Sequence, residues 1–263
     1  MTVGDAARVK SCCATLYQTD WVRLLLGESF HPGGLALTRR LGALLHLDAT
    51  SIVLDVACGR GASAIHLAQT FGCRVIGIDL GAENVAAARR AAQEVEISRL
   101  TEFRTGDGEA IPLDDASVDA VVCECAFCTF PDKSQAAAEF ARVLRPDGQV
   151  GLSDLTRSGE LPPELESLLA WIACIADARP VEEYGALLES AGFTGRSIEN
   201  HDEALTQMVR DIRQRLLAAE LLAKLGTAEL PFVDFEQAKS MAKVAAQAVR
   251  TGRLGYSLVT ATR

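Results

Sequence analysis

The sequence lacks the features of membrane, secreted and nucleic-acid-binding proteins. None of its 263 residues lies in an apolar run approaching the roughly 20 residues that a membrane helix needs. The N-terminus, MTVGDAARVK, has no apolar signal region. Lysine and arginine number 26 against 35 acidic residues, without any basic cluster, and nucleic-acid binding needs concentrated positive charge. We therefore expect a soluble, cytoplasmic protein that acts on a small molecule, with neither a membrane nor a nucleic acid as its partner.

The chain also lacks the signs of a disulfide framework, although it contains 8 cysteines. Cytosolic thiols stay reduced, so most of these cysteines are expected to be small buried hydrophobic residues, as at Cys58 and Cys73. The spacing Cys123-x-Cys125-x-x-Cys128 is not followed by a second pair of cysteines at zinc-site spacing. This argues against a cysteine-rich metal-binding module.

The stretch 51–79 is the part of the chain with the strongest pattern. A short apolar strand at 52–56 leads into a small-residue loop, ACGRG, and then into an amphipathic helix that ends at Gly72. A second apolar strand follows and ends at Asp79. This pattern predicts a βαβ unit in which Gly59 and Gly61 let the backbone approach a nucleotide, while Asp79 accepts hydrogen bonds from two ribose hydroxyls.

The rest of the chain extends this unit into a doubly wound α/β sheet. Strands are predicted at 100–105, 118–124 and 149–155, with helices at 81–94 and 134–144 between them. Long helices at 204–224 and 235–251 interrupt the pattern before a last strand at 254–262. We expect an N-terminal helical cap at 1–48, in which 1–34 form a lid, a nucleotide-binding core at 49–155, and a substrate-pocket region at 156–263.

Asp55 decides between two nucleotide ligands. Gly59-x-Gly61-x-x-Ala64 fits the fingerprint of NAD-binding proteins, but Asp55 lies inside the first strand, where a carboxylate suits a cationic ligand better than a pyrophosphate. The string DVACGRG resembles motif I of the class I S-adenosylmethionine (SAM)-dependent methyltransferases, with Ala57 replacing a glycine. The segments TGDGE at 105–109 and LRPDG at 144–148 resemble later segments of that family.

This resemblance implies a Rossmann-like methyltransferase sheet that binds SAM. The residues it implies for cofactor binding are Asp55, Ala57, Gly59, Gly61, Asp79, Leu80, Asp107, Gly108, Glu109 and Cys123.

Two cysteine positions indicate a substrate site. Cys123 and Cys125 are two residues apart at a predicted strand end, so both are expected on one face at the carboxyl edge of the sheet, where doubly wound proteins bind ligands. Cys174 lies opposite the leucine stripe of a predicted helix at 164–178, which places it toward solvent or a cavity.

The stretch 119–178 resembles the bacterial arsenite methyltransferases. CECAFCTFPDK at 123–133 follows the pattern around their fourth strand, and the resemblance implies that Cys125 and Cys174 are the cysteines that bind the substrate. Cys12 and Cys13 resemble a cysteine pair near the N-terminus of those enzymes, whereas the loop at 27–34 lacks a further cysteine that they often have. Trivalent arsenic is a soft acceptor that thiolates bind, and its lone pair can take a methyl group without a base. The third sulfur is left open among Cys12, Cys13, Cys123 and Cys128.

An ordinary methyltransferase that acts on oxygen, nitrogen, sulfur or carbon of an organic metabolite is the alternative. Such an enzyme would need a base, for which His31 and His201 are candidates, although a lone histidine more often has a structural role. The predicted substrate is thus a small molecule or a metalloid, the latter reaching the enzyme as a thiol conjugate.

Overall fold

The structure is a computed structural model, and it describes residues 31–162, 165, 175, 177–224 and 235–263. Most of the predicted N-terminal cap and lid, most of the predicted helix at 164–178, and Cys12, Cys13 and Cys174 lie outside the described residues.

The described residues form one seven-stranded sheet with helices packed against it. The elements in chain order are α1 (Gly34–Leu44), β1 (Ile52–Val56), α2 (Ala62–Phe71), β2 (Arg74–Asp79), α3 (Ala82–Glu94), β3 (Thr101–Thr105), β4 (Val118–Glu124), a 3-10 turn (Phe127–Thr129), α4 (Lys133–Val143), β5 (Leu144–Arg157), α5 (Val181–Ser190), β6 (Thr194–Asn200), α6 (Asp202–Lys224), α7 (Phe235–Arg250) and β7 (Leu254–Thr262). The strand order is β3-β2-β1-β4-β5-β7-β6.

The sheet confirms the predicted α/β class but is mixed rather than fully parallel. Strands β1 to β5 are parallel, whereas β7 runs antiparallel to both β5 and β6. A single crossover helix returns the chain for a parallel strand. Among the described residues, two helices, α6 and α7, lie between β6 and β7, and β7 starts at the end of the sheet where β6 finishes.

The register of the central strands brings the candidate residues to one edge of the sheet. Asp55 on β1 lies beside Gly77 on β2 and Val122 on β4. Asp79 and Glu124 are the last residues of β2 and β4. Because parallel strands end at the same edge, these carboxylates face the same region. Among the described residues, no helix combines the length and apolarity that a membrane crossing requires.

Candidate active site

The glycine loop between β1 and α2 contains several residues with left-handed backbone. Ala57 has φ +59°, Gly59 +54° and Gly61 +84°. The loop is held by hydrogen bonds from the Cys58 amide to the Ile78 carbonyl and from the Gly61 amide to the Cys58 carbonyl, both 2.9 Å. Ala57 adopts a conformation that costs an L-residue roughly 1–2 kcal/mol, which explains why the resembling family has glycine there.

The two glycines of this loop are required for different reasons. A Cβ atom on Gly59 would meet no atom of the described residues within 4 Å, so among these residues Gly59 borders open space where a ligand can approach. A Cβ on Gly61 would lie 2.9 Å from Cβ of Ala88 and from the ring of Phe103. Gly61 therefore allows α2 to pack closely against its neighbours in the core.

Asp55 is a buried carboxylate that is only partly satisfied. It is 2% exposed, and its Oδ2 atom accepts no hydrogen bond from the described residues. Burial raises the pKa of Asp55 well above its usual range, and the nearby carboxylates Glu124 and Asp79 raise it further. A cation bound here would relieve both effects.

Asp79 is also buried, but its carboxylate is nearly saturated. Oδ2 accepts the Gly59 amide at 2.9 Å, and Oδ1 accepts the Gly81 amide at 2.8 Å and the Asn84 side-chain amide at 3.1 Å. A carboxylate has about four acceptor positions, so about one is left for a ligand. The sequence pattern predicted hydrogen bonds from two ribose hydroxyls, which is one more than this position can accept.

The remaining residues implied for cofactor binding lie along the same edge. Leu80 follows β2 with 43% of its surface exposed. Asp107 accepts the Glu109 amide at 2.9 Å, and Glu109 accepts the Asp132 amide at 3.0 Å. A Cβ on Gly108 would lie 2.9 Å from Val56 and Phe130 side-chain atoms, so this turn packs against the end of β1.

The prediction that Cys123 and Cys125 share one strand face is wrong. Strand β4 ends at Glu124, and Cys125 has a left-handed backbone with φ +51°, so the two-residue alternation of a strand does not reach it. The Cys125 amide donates to the Ser153 carbonyl at 2.6 Å. Cys123 is fully buried, whereas Cys125 is half-buried.

Buried Cys123 is a weak ligand for arsenic. Burial raises the pKa of its thiol well above the ordinary value, and Asp154, Asp55 and Glu124 raise it further. The pKa of Cys58 is raised for similar reasons, by burial and by Asp55 and Asp79. Both thiols therefore stay protonated at neutral pH, whereas thiolates are the species that bind soft metalloids.

No group of three or more His, Cys, Asp or Glu side chains within the described ranges is arranged to hold a metal ion.

Glu124 is a central residue of the site that the sequence analysis missed. Its side chain is 4% exposed and accepts hydrogen bonds from Ser63 Oγ at 2.6 Å, Thr38 Oγ1 at 2.9 Å and Ser153 Oγ at 3.3 Å. His31 Nε2 lies 3.7 Å from Glu124 Oε2. The available signal was an acidic residue at the end of an apolar strand, the same pattern that marked Asp79.

The two candidate histidine bases lie in different environments. His31 is 7% exposed and faces Glu124 at the carboxyl edge. His201 follows β6, the outermost strand, where its Nε2 lies 3.4 Å from Glu199 Oε2. Of the two, only His31 lies beside Glu124 at the end of β4.

Comparison with known proteins agrees with this geometry. Residues 54–152 match the family model described as a methyltransferase domain. The strand order and the glycine loop of the structure agree with a methyltransferase domain over these residues.

Particular relatives differ in what their names say they act on. The chain is 30% identical over 181 residues to an arsenite methyltransferase of Halobacterium salinarum, which covers 65% of this chain and 46% of that protein. It is 29% identical over 196 residues to the 27-O-demethylrifamycin SV methyltransferase of Amycolatopsis mediterranei, covering 69% and 72% of the two chains. A structure of Haemonchus contortus phosphoethanolamine N-methyltransferase 2 with SAM has a TM-score of 0.81 at 18% identity, covering 97% of this chain and 60% of that one. The chain spans about half the length of several curated relatives that it matches.

Proposed function

We propose that this protein is a SAM-dependent methyltransferase whose acceptor is a trivalent arsenical bound by thiolates. The observation that carries the acceptor assignment is the position of Cys125, half-buried directly after β4 at the sheet edge where the residues proposed for cofactor binding also lie. The likeness to the arsenite methyltransferase of Halobacterium salinarum supports the same acceptor.

The residues of the glycine loop fit SAM rather than a dinucleotide. Oδ2 of Asp55 is a buried carboxylate oxygen without a described partner, which suits the positive charge that SAM carries. The open space beside Gly59 can accept the methionine moiety, while Asp79 retains an acceptor position for ribose. Asp107, Gly108, Glu109 and Leu80 are proposed to contact the adenosine portion. When bound, SAM supplies an electrophilic methyl group on a sulfonium.

The acceptor site of this proposal begins at Cys125. Arsenic(III) prefers sulfur ligands, and arsenic held by sulfur keeps a lone pair that can take the methyl group. The reaction needs no general base because arsenic loses no proton. Catalysis then consists of holding the acceptor in line inside a pocket that excludes water. Cys174, Cys12 and Cys13 are the proposed further ligands, and the raised pKa of Cys123 makes that residue the least suitable third sulfur.

Serine substitution tests the proposal, because serine keeps the size of cysteine but removes soft ligation. We expect Cys125→Ser and Cys174→Ser each to abolish methylation of arsenite in the presence of glutathione, without changing SAM affinity measured by calorimetry. Cys73→Ser is the matched control. Cys73 is a free buried thiol that lies away from this sheet edge and donates to the Leu67 carbonyl.

Two results would contradict the proposal. Methylation of arsenite that survives both substitutions would show that Cys125 and Cys174 do not bind the arsenical. Calorimetry that detects NAD binding and no SAM binding would overturn the proposed cofactor.

A further inference from the structure

The proposed arsenical reaction leaves the Glu124 cluster without a role. Glu124 joins three elements through hydroxyl groups, since Thr38 lies on α1, Ser63 on α2 and Ser153 on β5. A strand can end without such contacts, so three hydroxyl donors and a histidine around one buried carboxylate indicate a role beyond ending β4. The cluster lies beside the glycine loop, because Ser63 is in the first turn of α2.

The imidazole of His31 has a defined orientation in this cluster. Its Nδ1 lies 3.2 Å from the Pro32 carbonyl oxygen, which can only accept, so Nδ1 carries a hydrogen. Nε2 is then the nitrogen whose lone pair points toward Thr38 and Glu124. Thr38 Oγ1 lies 3.4 Å from this Nε2 and 2.9 Å from Glu124, so Thr38 bridges the two groups.

Ser63 is the member of the cluster that a ligand can reach. It is half-buried, whereas Thr38 and Ser153 are fully buried and the side chains of His31 and Glu124 are each 4% exposed. Its hydroxyl donates to Glu124, which leaves its oxygen able to accept a hydrogen bond from a bound molecule.

The charges around the cluster favour a neutral acceptor. The titratable groups that face it are Asp55 from β1, Asp154 from β5, Tyr256 from β7, His66 from α2, and Cys123 and Cys125 at the end of β4. Two of these groups, Asp55 and Asp154, are buried acids like Glu124 itself, and none of the six is a lysine or arginine that would attract an anionic acceptor. A neutral acceptor that is methylated on a hydroxyl or thiol group must lose the proton of that group during transfer.

We propose that Ser63, Glu124 and His31 relay a proton away from a neutral hydroxyl- or thiol-bearing acceptor, which gives the site a second acceptor class beside the arsenical. The acceptor proton passes to Ser63 Oγ as Ser63 gives its own proton to Glu124. The Thr38 hydroxyl then turns from Glu124 toward His31, gives its hydrogen to Nε2 and takes the proton from Glu124 in return. The acceptor lone pair forms the bond to the methyl carbon, and the carbon–sulfur bond of SAM breaks with its electron pair left on sulfur. Ser63 contacts the acceptor, whereas Glu124 and His31 act through it. This inference rests on the proposed SAM-dependent methyl transfer.

The experiment measures S-adenosylhomocysteine formation from SAM with catechol, 2-mercaptoethanol, or arsenite plus glutathione as acceptor. A positioned proton acceptor contributes about 100-fold or more to rate. We expect Ser63→Ala to lower the ratio of catechol turnover to arsenite turnover about 100-fold, and His31→Gln and Glu124→Gln to lower it in the same direction. Ser63→Thr keeps the hydroxyl and should restore the ratio.

The pH profile separates a relay from a merely structural role. With the wild-type chain, catechol turnover should rise with pH and then level off as the relay becomes able to accept protons. With Ser63→Ala, turnover should keep rising with pH because hydroxide must then remove the proton. Matched controls are His201→Gln, which alters the other histidine–glutamate pair, and Thr70→Ala, which alters a hydroxyl 3.5 Å from His66 on the same helix as Ser63.

The outcomes distinguish this inference from the proposed function. Absence of methylation of both catechol and 2-mercaptoethanol overturns the inference, whatever arsenite shows. Wild-type catechol turnover and pH profile in Ser63→Ala overturn it as well. Methylation of catechol through Ser63 without methylation of arsenite would support the relay and overturn the arsenical proposal.

Discussion

The ends of β1 and β2 lie side by side in the sheet and each carries a buried aspartate, yet the two carboxylates are used differently. Asp79 at the end of β2 accepts three hydrogen bonds from its own chain. Asp55 on β1 has one oxygen without a described partner and a pKa raised well above its ordinary value, chiefly by burial. The neighbouring loop repeats the contrast, since Gly61 is packed tightly and Gly59 borders open space.

This contrast separates residues that build the site from residues that await a ligand. Hydrogen bonds and close packing already made in the chain contribute to folding, and their removal costs stability. A buried carboxylate oxygen without a partner costs stability, and that cost is relieved when a cation binds. Substitutions at the two strand ends should therefore have opposite signatures in stability and in binding.

The largest effect on stability is expected for Asp79→Ala. The substitution leaves the Gly59 and Gly81 amides and the Asn84 side chain without their acceptor, which should lower the free energy of unfolding by about 3–5 kcal/mol. SAM affinity should fall by about 1–3 kcal/mol, the loss of a charge-assisted hydrogen bond. Urea denaturation and calorimetry measure the two effects. Asp48→Ala is the control, because exposed Asp48 also accepts bonds from Thr50 and Ser51 and should matter much less. Unchanged stability of Asp79→Ala would remove the distinction between the two strand ends.

The next effect compares the two glycines. Gly61→Ala adds a Cβ 2.9 Å from Ala88 Cβ, which is fixed to its helix and cannot move away, and forces alanine to adopt φ +84°. We expect a loss of about 2–4 kcal/mol in the free energy of unfolding. The added Cβ of Gly59→Ala meets no atom of the described part of the chain within 4 Å, so the variant should lose only about 1 kcal/mol of stability from backbone strain, while it weakens SAM binding. Equal losses of stability in the two variants would contradict the packing argument.

Asp55→Asn should change the pH dependence of stability. Because the pKa of Asp55 is raised in the folded state, the folded chain holds a proton that the unfolded chain has lost, and stability falls as pH rises from about 4 through the folded pKa. Asparagine has no such proton, so the variant should lack a slope of up to about 1.4 kcal/mol per pH unit. Melting temperatures without SAM between pH 5 and pH 8 test this, and parallel curves for the two proteins would contradict it. SAM affinity should fall in the variant.

The smallest effect is expected for Ala57→Gly. Glycine removes the roughly 1–2 kcal/mol strain of φ +59° but adds roughly 0.5–1 kcal/mol of chain entropy to the unfolded state. The free energy of unfolding should therefore rise by up to about 1 kcal/mol. Chemical denaturation of this variant beside wild type measures the change, and a loss of stability would mean that the methyl group of Ala57 is needed for packing.

Elements with strong local patterns could be predicted closely from the sequence. The bounds of β1, β4 and β7 agree with the predicted strands at 52–56, 118–124 and 254–262. Buried strands are uninterrupted apolar runs between small residues, so their ends are visible in the sequence. The ends of strand β6 are not visible in this way, because it is an edge strand, mostly exposed, with the weakly patterned sequence TGRSIEN.

The candidate site could be predicted only where one segment carries it. Asp55, Gly59 and Asp79 belong to one βαβ unit, so their proximity follows from the chain order. The cluster around Glu124 combines α1, α2, β4 and β5, and nothing local pairs Thr38 with Glu124. The left-handed backbone of Cys125 was likewise missed because strand alternation says nothing about the residue that follows a strand.

The position of β7 between β5 and β6 has a consequence for the order in which the sheet forms. In the described sheet β6 pairs with β7 alone, so its backbone finds no partner until two long helices have been traversed and β7 has docked on β5. Pairings between residues far apart in sequence form late because loop closure must precede them. The strands that carry the glycine loop can thus assemble while β6 is still unpaired, and backbone amides of β6 should be among the last in the sheet to gain protection from hydrogen exchange.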